Sequence, residues 1–360
     1  MSLDQILIKK IKDEGPISIA DFMTLALSHP EHGYYIKQDP IGKDGDFTTA
    51  PEISQMFGEM IGAWIADTWM QMGRPEKFTL LECGPGRGTL MNDILRATKN
   101  IEGFHKAAIV TLMEISPTLK RKQAENLPPL IPHWIESLDD IPRDKPLILI
   151  ANEFLDALPI HQYEITDNGW AERMVAYTPA KSFHIIQDFC EAPTLPDAIC
   201  PITATPSPQG MDITGIGEVF ETSPAQTEFM NQLSILLKHL GGASLFIDYG
   251  YESGHGDTLQ ALYKHDYCDP LTHIGDADIT AHVNFGALQN IIPSALTTQG
   301  QFLLQLGIEH RAEILKQNAG TKQTEDIQNA LHRLLHNDEM GALFKVIGVT
   351  HDQTLNLAGF

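Results

Sequence analysis

The sequence has few cysteines, and none of them is paired at a metal-binding or redox spacing. The 360-residue chain contains Cys83, Cys190, Cys200 and Cys268, and no Cys-x-x-Cys occurs. This usage argues against a disulfide framework and against a zinc site, and it predicts reduced thiols in a cytosolic protein. The fifteen histidines are scattered without a His-Glu-x-x-His spacing, so no metal site is expected.

Basic residues are also scarce. The chain has 25 Lys and Arg against 47 Asp and Glu, which gives a formal net charge of −22. Binding to a nucleic-acid backbone needs clustered Lys and Arg, so no nucleic-acid partner is expected. The excess of acids would suit a basic partner, or it serves solubility alone.

Long hydrophobic runs and hydrolase signatures are missing as well. No apolar stretch reaches membrane-spanning length, and the first ten residues lack the apolar core of a signal peptide. We therefore expect no membrane insertion and a cytoplasmic location. A Gly-x-Ser-x-Gly nucleophile elbow is absent too, which excludes the commonest hydrolase interpretation.

The most informative stretch present runs from Phe78 to Thr89. Apolar residues lead into Glu82, glycines follow at positions 84, 86 and 88, and helical periodicity begins after Thr89. This pattern predicts a buried strand, a tight turn and a helix whose free N–H groups face a ligand. A dinucleotide turn would read Gly-x-Gly-x-x-Gly, whereas Gly-x-Gly-x-Gly preceded by an acid resembles the first motif of class I S-adenosylmethionine (SAM) methyltransferases. A plain strand–helix turn is the alternative. The candidate cofactor-binding residues are Glu82, Gly84, Pro85, Gly86, Gly88 and Thr89.

Further strands are predicted after the glycine turn, at 108–114, 133–135, 146–151, 243–248 and 344–349, with a possible sixth strand of the sheet at 258–263. Glu114 would end its strand, where a carboxylate can accept both hydroxyls of a ribose. Its neighbour Ile115 is a further cofactor-binding candidate. A helix N-cap role for Glu114 is the alternative, but Ser116 already fills that position.

Polar residues follow the predicted strands 146–151 and 243–248. Asn152, Glu153 and Asp156 come after the first strand, and Asp248 ends the second. Because ligands of open parallel sheets bind outside the carboxyl ends of the strands, these residues are predicted to face the reacting centre. Glu153 and Asp156 are candidates to grip a guanidinium, with Asn152 and Asp248 supporting. His282 is a candidate proton acceptor, although a structural histidine is the competing interpretation.

The N-terminal 75 residues are predicted to be helical. Ser2 and Gln5 form a capping box, and Pro51 is expected to open one long amphipathic helix that ends at Gly73. Thr48, just ahead of that helix, is a candidate to close over the cofactor.

Taken together, the motifs resemble those of the MidA-like family of SAM-dependent methyltransferases. The matching segments are HGYY (32–35), GDFTTAPEISQMFGE (45–59), LLECGPGRGTL (80–90), MEISPTLKRKQ (113–123), NEFLDALPI (152–160), FIDYGY (246–251), DADITAHVNF (276–285), TTQGQFLLQLGI (297–308) and FKVIGV (344–349). They span nearly the whole chain in order. Arg87 departs from the motif, where Thr or Gly is often seen, so the local cofactor contacts are expected to differ.

This resemblance implies an α/β class I methyltransferase (Rossmann-like) fold with a mostly parallel seven-stranded sheet, N-terminal helices, and inserted hairpin and helical elements. It implies SAM as the cofactor, and Ser137 and Leu138 in a turn that lines the adenine. For the mitochondrial members it implies arginine methylation of a respiratory complex I subunit, so a protein substrate is expected. The lack of a transit peptide fits a bacterial member.

The predicted organisation is an N-terminal helical region over 1–75 that packs on a SAM-binding domain over 76–350. Insertions are predicted at about 160–222 and 264–340. Two other functions remain open at this stage: a small-molecule O- or N-methyltransferase, and a non-catalytic assembly factor that retains the SAM fold. The sequence does not predict the oligomeric state.

Overall fold

The computed structural model describes residues 1–37, 49–127, 129–195 and 215–360. Within these ranges, no helix combines the length and the apolar composition needed to cross a membrane.

The described α-helices are α1 (Leu3–Glu14), α2 (Ile19–Ser28), α3 (Tyr34–Lys37), α4 (Ala50–Ile53), α5 (Gln55–Gln71), α6 (Thr89–Thr98), α7 (Phe104–Ala107), α8 (Pro117–Asn126), α9 (Pro224–Leu240), α10 (Phe285–Ile291), α11 (Gln299–Gln305), α12 (Ile308–Lys316), α13 (Thr321–Leu335) and α14 (Met340–Leu343). One turn of 3₁₀-helix covers Leu138–Asp140.

The described strands are β1 (Ile17–Ser18), β2 (Phe78–Cys83), β3 (Ala108–Met113), β4 (His133–Ile135), β5 (Leu147–Asn152), β6 (His161–Thr166), β7 (Gly169–Thr178), β8 (Ser182–Phe189), β9 (Val219–Thr222), β10 (Gly242–Tyr251), β11 (Gln260–Tyr263), β12 (Asp266–Cys268), β13 (Asp278–Thr280), β14 (Val283–Asn284), β15 (Ser294–Thr298) and β16 (Phe344–Thr350).

The chain divides by proximity into two units, each built from three segments. Unit 1 comprises Met1–Pro40, Asp156–Glu228 and Tyr251–Ile291, and unit 2 comprises Ile41–Leu155, Phe229–Gly250 and Ile292–Phe360. The domain bounds predicted from the sequence, 1–75 and 76–350, remain a prediction.

Unit 2 contains a large, mostly parallel sheet. Seven strands follow one another in the order β15, β16, β10, β5, β2, β3 and β4. The five from β10 to β4 are parallel, while β16 and β15 run antiparallel at the other edge. Strands β2 and β5 are buried along their whole length, as expected of central strands covered on both faces. The predicted α/β fold with a large, mostly parallel sheet is confirmed, but the sheet has eight strands among the described residues, one more than predicted.

Register brings the carboxyl ends of the central strands to one edge of this sheet. Cys83 at the end of β2 lies opposite Met113 of β3 and Ala151 of β5. The residues that follow these three strands, including Gly84, Glu114 and Glu153, therefore leave the same edge. This is the edge at which open parallel sheets bind ligands.

The core of unit 2 lies against this sheet, where α5 buries one face. Phe57, Trp64 and Trp69 of α5 are buried with the sheet strands in one apolar cluster. The prediction of a single helix from Pro51 to Gly73 is wrong in one respect, because the helix is interrupted at Ser54, between α4 and α5. Ser54 adopts an extended conformation, and its hydroxyl accepts a hydrogen bond from the Met56 amide, so it caps a new helix.

Unit 1 contains two antiparallel sheets and the first two helices. Strands β1, β7, β6 and β9 follow one another with β8 on the other side of β7, and β12, β11 and β13 form a small sheet. The hairpins predicted in this region are confirmed. The capping box at the start of α1 is confirmed too, since Ser2 and Gln5 bond each other's backbone amides.

Two expectations about strands were wrong. The stretch 258–263 was expected to add a sixth strand to the large sheet, but β11 pairs with its near neighbours β12 and β13 in the small sheet of unit 1. The antiparallel edge strand β15 falls within the insertion predicted at about 264–340, where helical elements were expected. Its alternation is weak, and pairing with the buried strand β16 decides its conformation.

Candidate functional site

The glycine turn after β2 has the backbone that the sequence predicts. Gly84, Gly86 and Gly88 all have positive φ, at 61°, 52° and 81°. A Cβ on Gly84 would lie 3.2 Å from Cδ2 of Phe154, so a side chain there would be strained and crowded. Helix α6 begins at Thr89 without a side-chain cap; the Met91 amide in its first turn bonds Glu82, and the start of the helix faces the turn where an anion or polar group can bind.

Glu82 is buried directly beneath this turn. It is 2% exposed, and burial raises its pKa to about 8, against a hydrogen bond from the Met91 amide that lowers it. Among the described residues its Oε2 atom has no hydrogen-bond partner. A buried, unsatisfied carboxyl oxygen is costly, so this atom fits a site completed by a cationic or donor group of a ligand.

A cavity of about 60 Å³ in unit 2 brings several predicted residues together. Its described lining is Thr49, Pro51, Glu52, Glu82, Gly84, Pro85, Gly86, Arg87, Thr89, Leu90, Asn152 and Glu153. The volume is far below the roughly 300–1,000 Å³ of ligand sites, so it is too small for a whole nucleoside cofactor. A side-chain hydrogen bond crosses the turn here, from Thr89 Oγ1 to Glu52 Oε1 at 2.6 Å. Glu52 would therefore need to shift for a large ligand to lie on the glycine backbone.

Glu153 enters this cavity from the end of β5 on a strained backbone. Its φ is 51°, which is uncommon for a residue with a side chain. Its amide donates to the Ile247 carbonyl at 2.8 Å, and Oε1 accepts from Asn152 Nδ2 at 3.1 Å and from the Ala50 amide at 3.4 Å. Strained conformations of this kind persist where the surroundings enforce them and are concentrated at functional sites.

Asp248 supports the chain that follows Glu153. It is 1% exposed; Oδ2 accepts from the amides of Phe154 and Leu155 at 3.1 and 2.9 Å, and Oδ1 accepts from the Tyr249 amide at 3.0 Å. Three backbone donors hold this carboxylate in place. Its position suits the support of the loop after β5, and its predicted role beside a bound guanidinium stays a prediction.

Glu114 lies at the end of β3, the neighbour of β2 in the sheet. Its Oε1 accepts from the Ser116 amide at 2.8 Å and its Oε2 from Gln123 Nε2 at 3.1 Å. Burial raises the Glu114 pKa, while these two hydrogen bonds oppose the rise. Ser116 caps α8 itself by accepting from the Leu119 amide, so Glu114 is not the cap of that helix. The Ile115 amide is a third donor to this carboxylate and also opposes the rise of its pKa.

Gln123 connects the glycine turn to Glu114 by hydrogen bonds, and it was not among the residues predicted from the sequence. Its Nε2 donates to the Gly86 carbonyl at 2.7 Å as well as to Glu114, and its Oε1 accepts from Trp134 Nε1 at 2.7 Å. Gln123 is fully buried. It is the last residue of the segment 113–123 that matches the MidA-like motif, and that match was the signal that could have identified it.

The remaining cofactor candidates occupy the same sheet edge or fall outside the described residues. Ile115 is 41% exposed beside Glu114, Leu138 is buried, and the Ser137 hydroxyl bonds Asp140 Oδ2 at 3.2 Å in the turn after β4. None of these three lines the cavity beside the glycine turn. Thr48 lies outside the described residues.

Two acceptor-site candidates, Asp156 and His282, belong to unit 1. Asp156 is 5% exposed. Burial raises the pKa of Tyr35, and the negative charges of Asp278 and Asp156 raise it further. The His282 amide donates to Thr258 Oγ1 at 2.9 Å. The predicted pairing of Glu153 with Asp156 and the proton-acceptor role of His282 stay predictions.

The described residues contain no group of three or more His, Cys, Asp or Glu side chains placed to hold a metal ion. A second cavity, of about 920 Å³, lies in unit 1 and is lined by none of the glycine-turn residues. The candidate catalytic site is therefore the carboxyl edge of the parallel sheet in unit 2.

The chain matches a family of S-adenosyl-L-methionine-dependent methyltransferases over residues 60–302. It is 33% identical over 380 residues to the human mitochondrial protein arginine methyltransferase NDUFAF7, covering 97% of this chain and 83% of that protein. Its identity to the zebrafish (Danio rerio) counterpart is 32% over 377 residues, covering 97% and 87%.

A solved structure from Burkholderia thailandensis has a similar fold. This methyltransferase candidate, bound to S-adenosyl-homocysteine, is 26% identical, covers 99% of this chain and 93% of its own, and superposes with a TM-score of 0.80. A native structure from the same organism is 28% identical with the same TM-score, covering 99% and 94%. The glycine turn, the buried Glu82 and the parallel sheet are the features that such a cofactor site requires. This chain thus belongs to the MidA-like family of S-adenosylmethionine-dependent methyltransferases.

Proposed function

We propose that this methyltransferase modifies arginine side chains of a protein substrate. The observation that carries the proposal is the position of Glu153, a half-buried residue with a strained backbone that lines the same cavity as the glycine turn. A guanidinium is cationic at neutral pH and forms bidentate hydrogen bonds with carboxylates. The curated vertebrate relatives are named protein arginine methyltransferases, which supports the same acceptor.

The residues of unit 2 divide into a donor side and an acceptor side. On the donor side, the glycine turn and the first amides of α6 would hold the cofactor, Glu114 its ribose hydroxyls, and Glu82 its amino group. Ile115, Ser137 and Leu138 would complete the nucleoside site, and Glu52 would move from Thr89 to admit it. When bound, SAM supplies an electrophilic methyl group.

On the acceptor side, Glu153 would grip the substrate guanidinium. Its hydrogen bonds to Asn152 and to the Ala50 amide fix the carboxylate, and Asp248 fixes the loop that follows. A carboxylate bonded to two guanidinium nitrogens localises the positive charge and keeps the third nitrogen available for in-line attack. Asp156 would assist, and His282 would accept the proton that leaves the methylated nitrogen.

The substrate proposed from the family resemblance is a basic segment of a respiratory complex I subunit, methylated in the cytoplasm. A direct test incubates the full chain with methyl-labelled SAM and a protein extract from cells that lack the gene. Acid hydrolysis followed by amino-acid chromatography then identifies the methylated residue. We expect label in methylarginine, and we expect Glu153→Gln to reduce it by about a hundredfold or more.

Two outcomes would contradict the proposal. Label in another amino acid would reject arginine as the acceptor, and label confined to small molecules would reject a protein substrate. Fractionation of the native cells would test the proposed location.

A further inference from the structure

We propose that Gln123 is a positioning residue for the cofactor. It orients the Glu114 carboxylate toward the ribose hydroxyls and so makes binding selective for a ribonucleoside. The proposal rests on the donor side of the proposed function, in which Glu114 holds the ribose, and it is independent of the methylated acceptor. Gln123 lies on α8, the helix that follows β3 and Glu114 in the chain, and it is fully buried.

Three hydrogen bonds give the Gln123 amide a single orientation. Its Nε2 carries two hydrogens and donates to the Gly86 carbonyl at 2.7 Å and to Glu114 Oε2 at 3.1 Å. Its Oε1 accepts from Trp134 Nε1 at 2.7 Å. A reversed amide would place its oxygen against two acceptors and its nitrogen against a donor, so it would lose all three bonds.

The Glu114 carboxylate needs a partner of this kind. The terminal torsion of a glutamate has broad preferences, so hydrogen bonds must set the direction in which its oxygens point. The amides of Ser116 and Ile115 bond this carboxylate from within two residues of it. Gln123 belongs to another element, and its one amide group is shared between Glu114 and the glycine turn. It therefore fixes the carboxylate relative to the turn on which the cofactor would lie.

Helix α8 packs closely on the glycine turn through two amide side chains. A Cβ on Gly88 would lie 3.6 Å from Cα and Cγ of Gln123. Asn126, one helical turn further along α8, donates from Nδ2 to the Arg87 carbonyl at 2.9 Å. Gln123 and Asn126 thus hold successive carbonyls of the turn, and the bond from Gln123 to Glu114 distinguishes the two. Asn126 is the matched control for attachment of the helix to the turn.

Loss of the Gln123 donor should affect selectivity more than affinity. A hydrogen bond that a hydroxyl donates to a carboxylate is stronger than a neutral one, but its strength depends on alignment. A carboxylate that has turned away would accept the ribose hydroxyls poorly. The contacts of the glycine turn with the rest of the cofactor would persist.

The test measures a selectivity ratio by calorimetry with the full chain. The ratio is the Kd of the 2′,3′-dideoxyribose analogue of S-adenosyl-homocysteine divided by the Kd of S-adenosyl-homocysteine itself. We expect a ratio of about tenfold or more for wild type and of about threefold or less for Gln123→Met, which keeps the length of the side chain and removes the donor. A purely structural loosening would weaken both ligands equally and leave the ratio unchanged.

Two further variants and a double-mutant cycle complete the test. Asn126→Ala should keep the ratio within about twofold of wild type, because it leaves the bond to Glu114 intact. Gln123→Asn keeps an amide in the buried position but shortens its reach, and it should lower the ratio by about threefold or more if the methionine variant does not fold. In a Glu114→Gln background, Gln123→Met should change the ratio by less than about twofold, since the residue acts through Glu114.

The inference is overturned if wild type does not distinguish the two ligands, if the Gln123 variants keep the wild-type ratio, or if Asn126→Ala lowers the ratio as far as Gln123→Met does. An undiminished effect of Gln123→Met in the Glu114→Gln background would also overturn it. These measurements contain no methyl acceptor. A Gln123-dependent ratio in a protein that makes no methylarginine would therefore reject the proposed acceptor and retain the role of Gln123.

Discussion

The substitution Glu82→Gln should separate the stability cost of this buried acid from its use in binding. Burial raises the Glu82 pKa to about 8, whereas the ordinary value is 4.5. Since the folded pKa is raised, the folded state binds the proton more tightly. The associated stability is complete below about pH 4.5 and is lost as pH rises through 8.

The magnitude follows from the two pKa values. Each pKa unit is worth about 1.4 kcal/mol, so at pH 7 the cost relative to low pH is about 3 kcal/mol, while at pH 5 it is below about 1 kcal/mol. Glutamine is an uncharged isostere and bears no such cost. The free energy of unfolding of Glu82→Gln minus that of wild type should therefore rise by about 2 to 3 kcal/mol between pH 5 and pH 7.

Urea denaturation of both proteins at several pH values measures this difference. The slope with pH is diagnostic, because any constant effect of burying an amide cancels in it. The exposed glutamate variant Glu102→Gln controls for the removal of one charge. A difference between Glu82→Gln and wild type that does not change from pH 5 to pH 7 would refute the raised pKa.

The same residue should couple cofactor binding to proton release. If the cofactor's amino group pairs with Glu82, the carboxyl ionises on binding, and about one proton should leave at pH 7. Calorimetry in buffers of different ionisation enthalpy measures this proton. Glu82→Gln should bind SAM more weakly and release none, and release of a full proton by the variant would assign the ionisation to another group.

Three further predictions concern the surroundings of the site. Gly84→Ala should cost about 1–2 kcal/mol of stability and abolish detectable SAM binding in calorimetry. The control Gly103→Ala, at φ 83° with its Cβ 3.7 Å from Trp69, should have a similar stability cost and normal SAM binding. Equal SAM binding by both variants would contradict the role of the turn. Gln123→Leu should lower the free energy of unfolding by about 2–3 kcal/mol and alter tryptophan fluorescence, because Trp134, Gly86 and Glu114 lose their partner; wild-type urea midpoints would refute this. Glu59→Gln should lower the free energy of unfolding by about 2 kcal/mol at pH 7, because hydrogen bonds from Arg311 and Arg96 outweigh burial and lower the Glu59 pKa. This stability is present above the ordinary pKa of a glutamate and is lost as pH falls through the lowered pKa. The variant should therefore lose less free energy of unfolding in acid than wild type does.

Local patterns predicted the secondary structure around the glycine turn well, while the cofactor contacts of its residues stay predictions. Alternating glycines permit positive φ, and all three adopt it here, so the strand, turn and helix from Phe78 to Thr89 agree with the local pattern. The continuous apolar run of β5 identifies a central strand in the same way. These features depend on backbone sterics and burial, which a short window of sequence contains.

Features that depend on distant partners were harder to predict. Ser54 breaks a helix of good periodicity because its own hydroxyl caps a new one, and nothing in the spacing indicates that break. Strand β11 joins the small sheet because β12 and β13 lie near it in the chain. Gln123 makes its contacts only when α8 packs beside the glycine turn, so the family motif marks the residue but its periodicity does not indicate its partners.

The acceptor side was predicted only as a set of polar residues after two strands. The structure distinguishes them by what they bond. Asp248 is occupied by three backbone amides, while Glu153 has a strained backbone and lines the cavity of the glycine turn. This difference arises from tertiary hydrogen bonding and cannot be derived from the sequence Asn152 to Asp156.

The division into a donor side and an acceptor side is tested most directly by calorimetric titration of Glu153→Gln with SAM, alongside wild type. The account predicts that the two proteins bind SAM with affinities within about twofold of each other, while the variant no longer produces methylarginine. A loss of SAM affinity of about tenfold or more in the variant would place Glu153 on the cofactor side and contradict its assignment to the substrate guanidinium.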